Sequence, residues 1–162
     1  INVRPERGAG GLMARTLLPE RFVCLVDREH PLAAAAPSEG LSLEAFVELP
    51  HVLVTPTARP GGIVDDVLAA EGLRRHVALS VDTFSSLGDI LPGTSLITTL
   101  PSRLAAYLVE RGGLVELEPP LELPRIELAL MWHARADADP AHQWLRELIV
   151  EGVRDHVLER ES

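Results

Sequence analysis

The stretch from His51 to Leu117 constrains the fold most, because apolar runs of strand length alternate there with amphipathic runs of helix length, and glycine or proline marks most of the changes. Pro60-Gly61-Gly62 opens a helix whose apolar residues Ile63, Val64, Val67 and Leu68 fall on one stripe. Asp65 and Asp66 lie in its first turn, where carboxylates complement the helix dipole. Gly72 stops it. The strand His76 to Val81 alternates, Asp82 or Thr83 caps a short helix through Ile90, and Ser95 to Thr99 is the next strand. With the strand His51 to Val54 in front, this is a βαβαβ run. Pro101-Ser102 then starts a helix from Arg103 to Glu110, Gly112-Gly113 ends it, and Leu114 to Leu117 returns as a strand. The alternation predicts an α/β fold with largely parallel pairing.

The flanks are less regular. Ile1 to Gly11 has no periodicity and reads as loop, and Leu17 to Asp27 is an apolar strand interrupted at Pro19-Glu20. Leu41 to Leu49 is a short helix with Ser42 as N-cap. Pro119-Pro120 and Pro124 bracket a crossover, after which Ile126 to His133 alternates little and is expected to be covered on both faces. Asp139-Pro140 begins the last helix, where Trp144, Leu145, Leu148, Ile149 and Val153 share a side and the charged tail from Glu151 to Ser162 is expected to fray or face solvent.

Charge and cysteine count exclude several function classes. The chain of 162 residues carries 24 acids against 15 bases, for a net charge of −9, and has neither a basic run nor a helix-turn-helix pattern. Nucleic-acid affinity rests on cations neutralising phosphates, so this chain should not bind DNA by itself. Its single cysteine, Cys24, excludes an internal disulfide and any multi-cysteine metal site, and reads as a small apolar residue in a strand. The six histidines show no i,i+4 pair, so no metal is expected. No cofactor is expected either: there is no G-x-S-x-G elbow, no G-x-G-x-x-G and no phosphate-binding glycine loop. Asp65 and Asp66 are adjacent on a helix and point to different faces, so they cannot act as acid and base on one bond. No apolar run approaches the ~18 residues of a membrane helix, and no signal segment is visible, which makes a cytoplasmic location the expectation.

Five strings occur in order: Glu20-Arg21-Phe22-Val23-Cys24-Leu25-Val26, His30-Pro31-Leu32-Ala33, His51-Val52-Leu53-Val54, Leu96-Ile97-Thr98-Thr99-Leu100-Pro101, and Met131-Trp132-His133-Ala134-Arg135. In this order and spacing the chain resembles the effector-binding half of LysR-type transcriptional regulators. The resemblance implies a two-lobed α/β fold like that of type 2 periplasmic binding proteins, with the effector held between the lobes. On that pattern residues 1–21 are part of a first lobe, 22–124 form a complete second lobe, and 125–162 return to the first lobe with the C-terminal helix. The resemblance is stronger to the branch of nodulation, salicylate and efflux regulators that answer aromatic compounds. Gly62 with Val64-Asp65, Gly72-Leu73-Arg74-Arg75 before Val77, Pro101-Ser102-Arg103 and Trp144-Leu145-Arg146 carry that part. It also implies a homodimer or higher oligomer, and contact with DNA only through an N-terminal helix-turn-helix domain that these residues do not contain. A transport-linked solute receptor of similar architecture is the alternative. No turnover is expected.

Open α/β sheets present ligands at the carboxyl ends of their strands. Three loops qualify here, and they supply the candidate effector-binding residues: Thr55, Pro56 and Thr57; Thr83, Phe84 and Ser85 after Asp82; and Thr98 and Thr99 before Pro101. Hydroxyls and helix N-termini could hold a carboxylate or phenolate, and Phe84 could stack on a ring. Capping threonines and a core phenylalanine are the competing reading of the same residues. Asp82 argues against a strongly anionic group at its own loop, and Arg59 is a candidate counter-charge.

Overall fold

The structure, a computed structural model, describes residues 2–3, 11–34, 40–55 and 61–160, the side chains of 2, 3 and 155–160 excepted. The chain divides into two compact units, one formed by Arg21–Pro124 and the other by Ile1–Glu20 with Arg125–Ser162.

The larger unit is built on a five-stranded sheet. Its strands are β3 (Phe22–Asp27), β4 (Pro50–Val54), β5 (His76–Val81), β6 (Ile97–Pro101) and β7 (Leu114–Leu117), in the order β5-β4-β6-β3-β7. β4 runs parallel to β5 and to β6, whereas β3 is antiparallel to both β6 and β7. Parallel pairing is therefore confined to the βαβαβ run, and the sheet is mixed. Successive side chains of a strand point to opposite faces. In β3 this sends Val23 and Leu25 into one core with Val52, Leu87, Leu100, Ala105 and Leu108, and Cys24 and Val26 into another with Phe46, Val64, Leu68, Ile97 and Leu117. The helices that close the two faces are α1 (Leu43–Glu48) and α2 (Ile63–Ala70) on the second core, and α3 (Leu87–Ile90) and α4 (Ser102–Glu110) on the first.

Local signals set the helix ends. Ser42 Oγ accepts the Ala45 N–H at 3.1 Å, which caps α1 as its sequence position indicates. α2 closes in a Schellman turn: the Leu73 N–H donates to the Leu68 carbonyl at 2.8 Å and the Gly72 N–H to the Ala69 carbonyl at 3.1 Å, with Gly72 at φ +73°. Asp27, at the end of β3, accepts the Glu29 N–H at 2.7 Å and the Gly93 N–H at 2.8 Å, tying the strand to the turn after α3. These two N–H groups hold its carboxyl below the usual carboxylate range.

The smaller unit is a three-stranded antiparallel sheet in the order β1-β8-β2, with β1 at Asn2–Val3, β2 at Leu12–Glu20 and β8 at Ile126–His133. β2 corrects the sequence reading twice. It begins at Leu12, and it includes Pro19 and Glu20, paired with Glu127 and Ile126; the chain breaks strand at Arg21, not at proline. A register shift between Thr16 and Leu18 absorbs the irregularity. β8 buries only Ala129 and Leu130 of its eight residues, so it is less covered than its low alternation suggested. Helix α5 (Pro140–Arg160) starts at Asp139, whose Oδ1 accepts the N–H groups of Ala141 and His142 at 2.9 and 3.0 Å. Its covered side is Arg146, Ile149, Val150 and Val153, while Trp144, Leu145 and Leu148 lie exposed, contrary to the single shared face read from sequence. Arg146 lies 4.5 Å over the Trp132 ring and donates to the carbonyls of Ala136 and Asp137, which fixes the helix to the end of β8.

Gly72 is the sharpest test of these local signals. Nothing lies within 4 Å of a Cβ added there, so Gly72→Ala is opposed by the left-handed backbone alone. The expected loss is about 1 kcal/mol, read as a fall of roughly 2–4 °C in Tm for a chain of this size, with Gly72→Asn losing less. An unchanged Tm for Gly72→Ala would mean that the Schellman turn does not limit stability.

Candidate functional site

Because β4, β5 and β6 are parallel, their carboxyl ends share one edge of the larger unit's sheet. Thr55 follows β4, and its N–H donates to the Val81 carbonyl at 2.8 Å, which holds the two strand ends together. Beyond β5, Asp82 and Thr83 lead into a single 3-10 turn at Phe84–Ser86 that runs directly into α3. Thr83 does not cap this turn with its side chain. Its Oγ1 lies 2.8 Å from Ser85 Oγ, and Ser86 Oγ donates to the Thr83 carbonyl at 2.8 Å. Thr83 and Ser85 are exposed, so the edge presents a hydroxyl pair to solvent, with the exposed Asp82 beside it. Phe84 is half-buried and packs against the core that also contains Val54 and Val81. It serves the core first, and only part of its ring is open to stacking.

Of the eight candidate residues, the structure brings Thr55, Thr83, Phe84 and Ser85 to this edge. Pro56 and Thr57 lie outside the described residues, as does Arg59. Thr98 and Thr99 do not lie in a loop, because β6 extends to Pro101 where the Val23–Leu100 and Phe22–Pro101 pairs prolong the ladder. Thr98 is fully buried and donates its hydroxyl to the Val52 carbonyl at 3.0 Å, and Thr99 Oγ1 lies 3.6 Å from Cys24 Sγ. Ser102, which the sequence marks only as part of a helix start, takes the place beyond β6 expected for Thr98 and Thr99. It opens α4 just beyond the true end of β6, is half-buried, and donates its N–H to the Arg21 carbonyl at 2.8 Å. Pro101-Ser102 was its signal, had the strand been extended to the proline.

A second polar group lies under α2. His51, fully buried on β4, donates Nε2–H to the Phe46 carbonyl at 2.7 Å and meets the Phe46 ring edge-on, with centroids 4.7 Å apart. That bond leaves Nδ1 with its lone pair, toward which Arg75 Nη1 donates at 3.4 Å. Arg75 also donates Nε and Nη2 to the two carboxylate oxygens of Asp65, at 3.0 and 2.7 Å, and its side chain is only 3% exposed. Burial would raise the Asp65 pKa, but the bonded Arg75 guanidinium and the Gly62 N–H outweigh it and hold the carboxyl below its ordinary value. Burial first, then the Arg75 charge, pushes the His51 imidazole down to about 4, against the Phe46 carbonyl.

Other chemistry finds no support at these positions. Burial pushes the Cys24 thiol up to about 12, which disfavours the thiolate that nucleophilic chemistry uses. Among the described residues no group of three or more His, Cys, Asp or Glu could hold a metal ion. A cavity of about 370 Å³ opens beside β7, lined by Ala33, Leu41, Val115, Leu117 and the acidic Glu116 and Glu118. Arg21 already bonds both carboxylates, at 3.0 and 2.9 Å.

Comparison with known proteins gives a consistent picture. The family described as the LysR substrate binding domain matches residues 2–154. The HTH-type transcriptional activator NahR of Pseudomonas putida is 39% identical over 139 residues, which are 86% of this chain and 45% of NahR. The activator NagR of a Ralstonia species is 39% identical over 141 residues, 87% of this chain and 46% of NagR. The chain thus spans about half the length of these curated relatives. The crystal structure of the regulatory domain of MexT, a transcriptional activator in Pseudomonas aeruginosa, superposes with a TM-score of 0.76 at 31% identity, covering 91% of this chain and 68% of that one.

The His51 environment predicts an acid sensitivity with a defined sign. Its folded pKa of about 4 lies below the ordinary histidine value of 6.5, so the unfolded chain binds more protons between those values. Stability should therefore be fully present above pH ~7 and fall as pH drops from about 6.5 to 4, by roughly 2–3 kcal/mol in all. Chemical denaturation across that range checks it, with His51→Gln expected to flatten the slope. An equal slope in the variant would assign the acid sensitivity to other groups.

Proposed function

This chain belongs to the LysR substrate binding domain family, and on that footing we propose that it is the effector-sensing part of a LysR-type transcriptional regulator. The observation that carries the reading is the match across residues 2–154, supported by 39% identity to transcriptional activators over 86% of the chain. The effector in this reading is a small aromatic molecule bearing hydroxyl or carboxyl groups. It meets the larger unit at the edge formed by Thr55, Thr83, Phe84 and Ser85, where a hydroxyl pair and part of one ring face outward. Asp82 in the same loop disfavours a carboxylate at this point, so the edge takes the neutral or hydroxylated part of the effector. Pro56 and Thr57 belong to the same assignment. In this scheme residues 22–124 are a second lobe, and 1–21 with 125–162 are parts of a first.

The mechanism is a population shift. An effector changes the output only by binding one conformational or quaternary state better than another, and no bond in it is made or broken. Self-association belongs to the same scheme and is supported by apolar surface that the fold leaves in solvent, chiefly Trp144 at 64% exposure with Leu145 and Leu148. DNA contact is assigned to a helix-turn-helix segment of such a regulator, since these residues carry a net charge of −9 and no basic run. No described helix is long and apolar enough to cross a membrane, and a regulator of transcription acts in the cytoplasm.

A thermal-shift screen against hydroxylated aromatic acids, phenols and aliphatic acids tests the reading, because a ligand that binds only the native state stabilises it by about 2.7 kcal/mol at a hundredfold excess over Kd. One aromatic class should raise Tm in a saturable way, be recovered unchanged, and lose most of the shift in Thr83→Ala/Ser85→Ala. That double variant is preferred to Phe84→Ala, which also removes core packing. No shift from any compound, or equal shifts in the double variant, would refute the assigned edge. Sedimentation of the same sample checks self-association, and a single monomeric species would remove that part.

A further inference from the structure

We propose that Asp65 and Arg75 are positioning residues for the effector edge: their paired bonds set the register that brings Thr55 alongside the loop of Thr83 and Ser85. The inference rests on the reading that this edge holds the effector.

The argument begins with where each group is anchored. Asp65 lies in the first turn of α2, and its carboxylate accepts the Gly62 N–H, at the point where the connection leaving Thr55 becomes helix. It is the acidic half of a capping box whose N-cap, a glycine, has no side chain to contribute. The same carboxylate takes both prongs of Arg75, the residue just before β5. The third Arg75 nitrogen reaches His51 on β4, the strand that ends at Thr55. One guanidinium thus joins the start of β5, the first turn of α2 and β4. Those are the three elements whose ends carry or border the effector edge.

Register gives this joint a consequence. β4 and β5 do not pair evenly: His51 pairs with Val77 but Val52 pairs with Leu79, so Ala78 is passed over in a bulge immediately beside the Arg75–His51 contact. From the bulge onward the pairs run Leu53–Ser80 and Val54–Val81, and end in the Thr55 N–H bond to Val81. A strand advances about 3.3 Å per residue. Losing the bulge would slide the β5 loop past Thr55 by that distance and invert which face each β5 side chain occupies. β5 is an outer strand that pairs, among the described residues, with β4 alone, so its register is less constrained than that of the inner strands, and a bonded arginine at its start supplies a further restraint. Lysine would not do the same, since a single ammonium cannot fork onto both oxygens of Asp65 and reach His51 as well.

Amide hydrogen exchange on the 162-residue chain tests this without any effector, so its outcome is separable from that of the ligand screen. The reporter is the Thr55 amide, ten residues from Asp65 and bonded across to β5; the reference is the β3–β6 ladder. Asp65→Asn should speed exchange at Thr55 by about tenfold or more relative to the reference amides. Asp65→Glu, which keeps a two-oxygen acceptor, should recover most of that protection, and Arg75→Lys should behave like Asp65→Asn. Acceleration that is uniform over the unit, that stays next to residues 65 and 75, or that Asp65→Glu fails to reverse would overturn the proposal and leave the pair a general stabilising contact. Should Asp65→Asn not fold, Arg75→Lys against wild type gives the same comparison.

Discussion

The larger unit depends on β3 being buried on both faces. Val23, Cys24, Leu25 and Val26 are each fully inaccessible, so neither face of the sheet can be left to solvent. Such a sheet requires helices on both sides, and the alternation of strand and helix between His51 and Glu110 delivers them to opposite faces. Doubly covered strands leave polar side chains few places to go. A hydroxyl inside the sheet must find a partner there, as Thr98 does on the Val52 carbonyl, because an unmet polar group in that setting costs on the order of 1–3 kcal/mol. In the doubly covered strands, hydroxyls available to a ligand are then confined to the strand ends. Thr83 and Ser85 are open for the same reason that Thr98 is closed.

This division explains which parts of the molecule were legible in the sequence. The helices of the larger unit could be read because their ends use short-range chemistry: Ser42 before α1, Gly72 after α2, and Pro101-Ser102 at the start of α4. Strand limits depend on partners far away in sequence. β6 runs to Pro101 because Phe22, some eighty residues earlier, pairs with it, and nothing local to Thr98 and Thr99 reveals that. Pro19 reads locally as a break, yet it fits a strand that pairs, among the described residues, with β8 alone. On α5 the apolar residues are spread around so much of the helix that the covered side could not be chosen, and Arg146 proved to be on it while Trp144 did not.

The candidate edge was half legible. That ligands meet parallel strands at their carboxyl ends is a property of the topology, and the topology was visible. The Asp65–Arg75–His51 network was not, because its members are separated by ten and twenty-four residues and follow neither helical nor strand periodicity. Asp65 read as a residue serving only the helix dipole. It does serve the α2 N-terminus through Gly62, and the same two oxygens also receive Arg75.

An arginine buried this completely is an expensive way to fill space. Removing a guanidinium and a carboxylate from water can cost as much as their attraction returns, so apolar residues of similar volume would often stabilise a fold at least as well. What an apolar filler cannot supply is direction. The burial of Leu68 and Val64 is favourable without being directional, whereas three bonds of 2.7, 3.0 and 3.4 Å from one planar group define its position against a helix and a strand together. His51 adds to the same restraint by remaining neutral: with Nε2–H committed to Phe46, its only open nitrogen is an acceptor, and a guanidinium is the donor it meets. The network therefore lies where the fold needs a fixed register more than it needs stability, beneath the edge strand whose loop carries the hydroxyl pair.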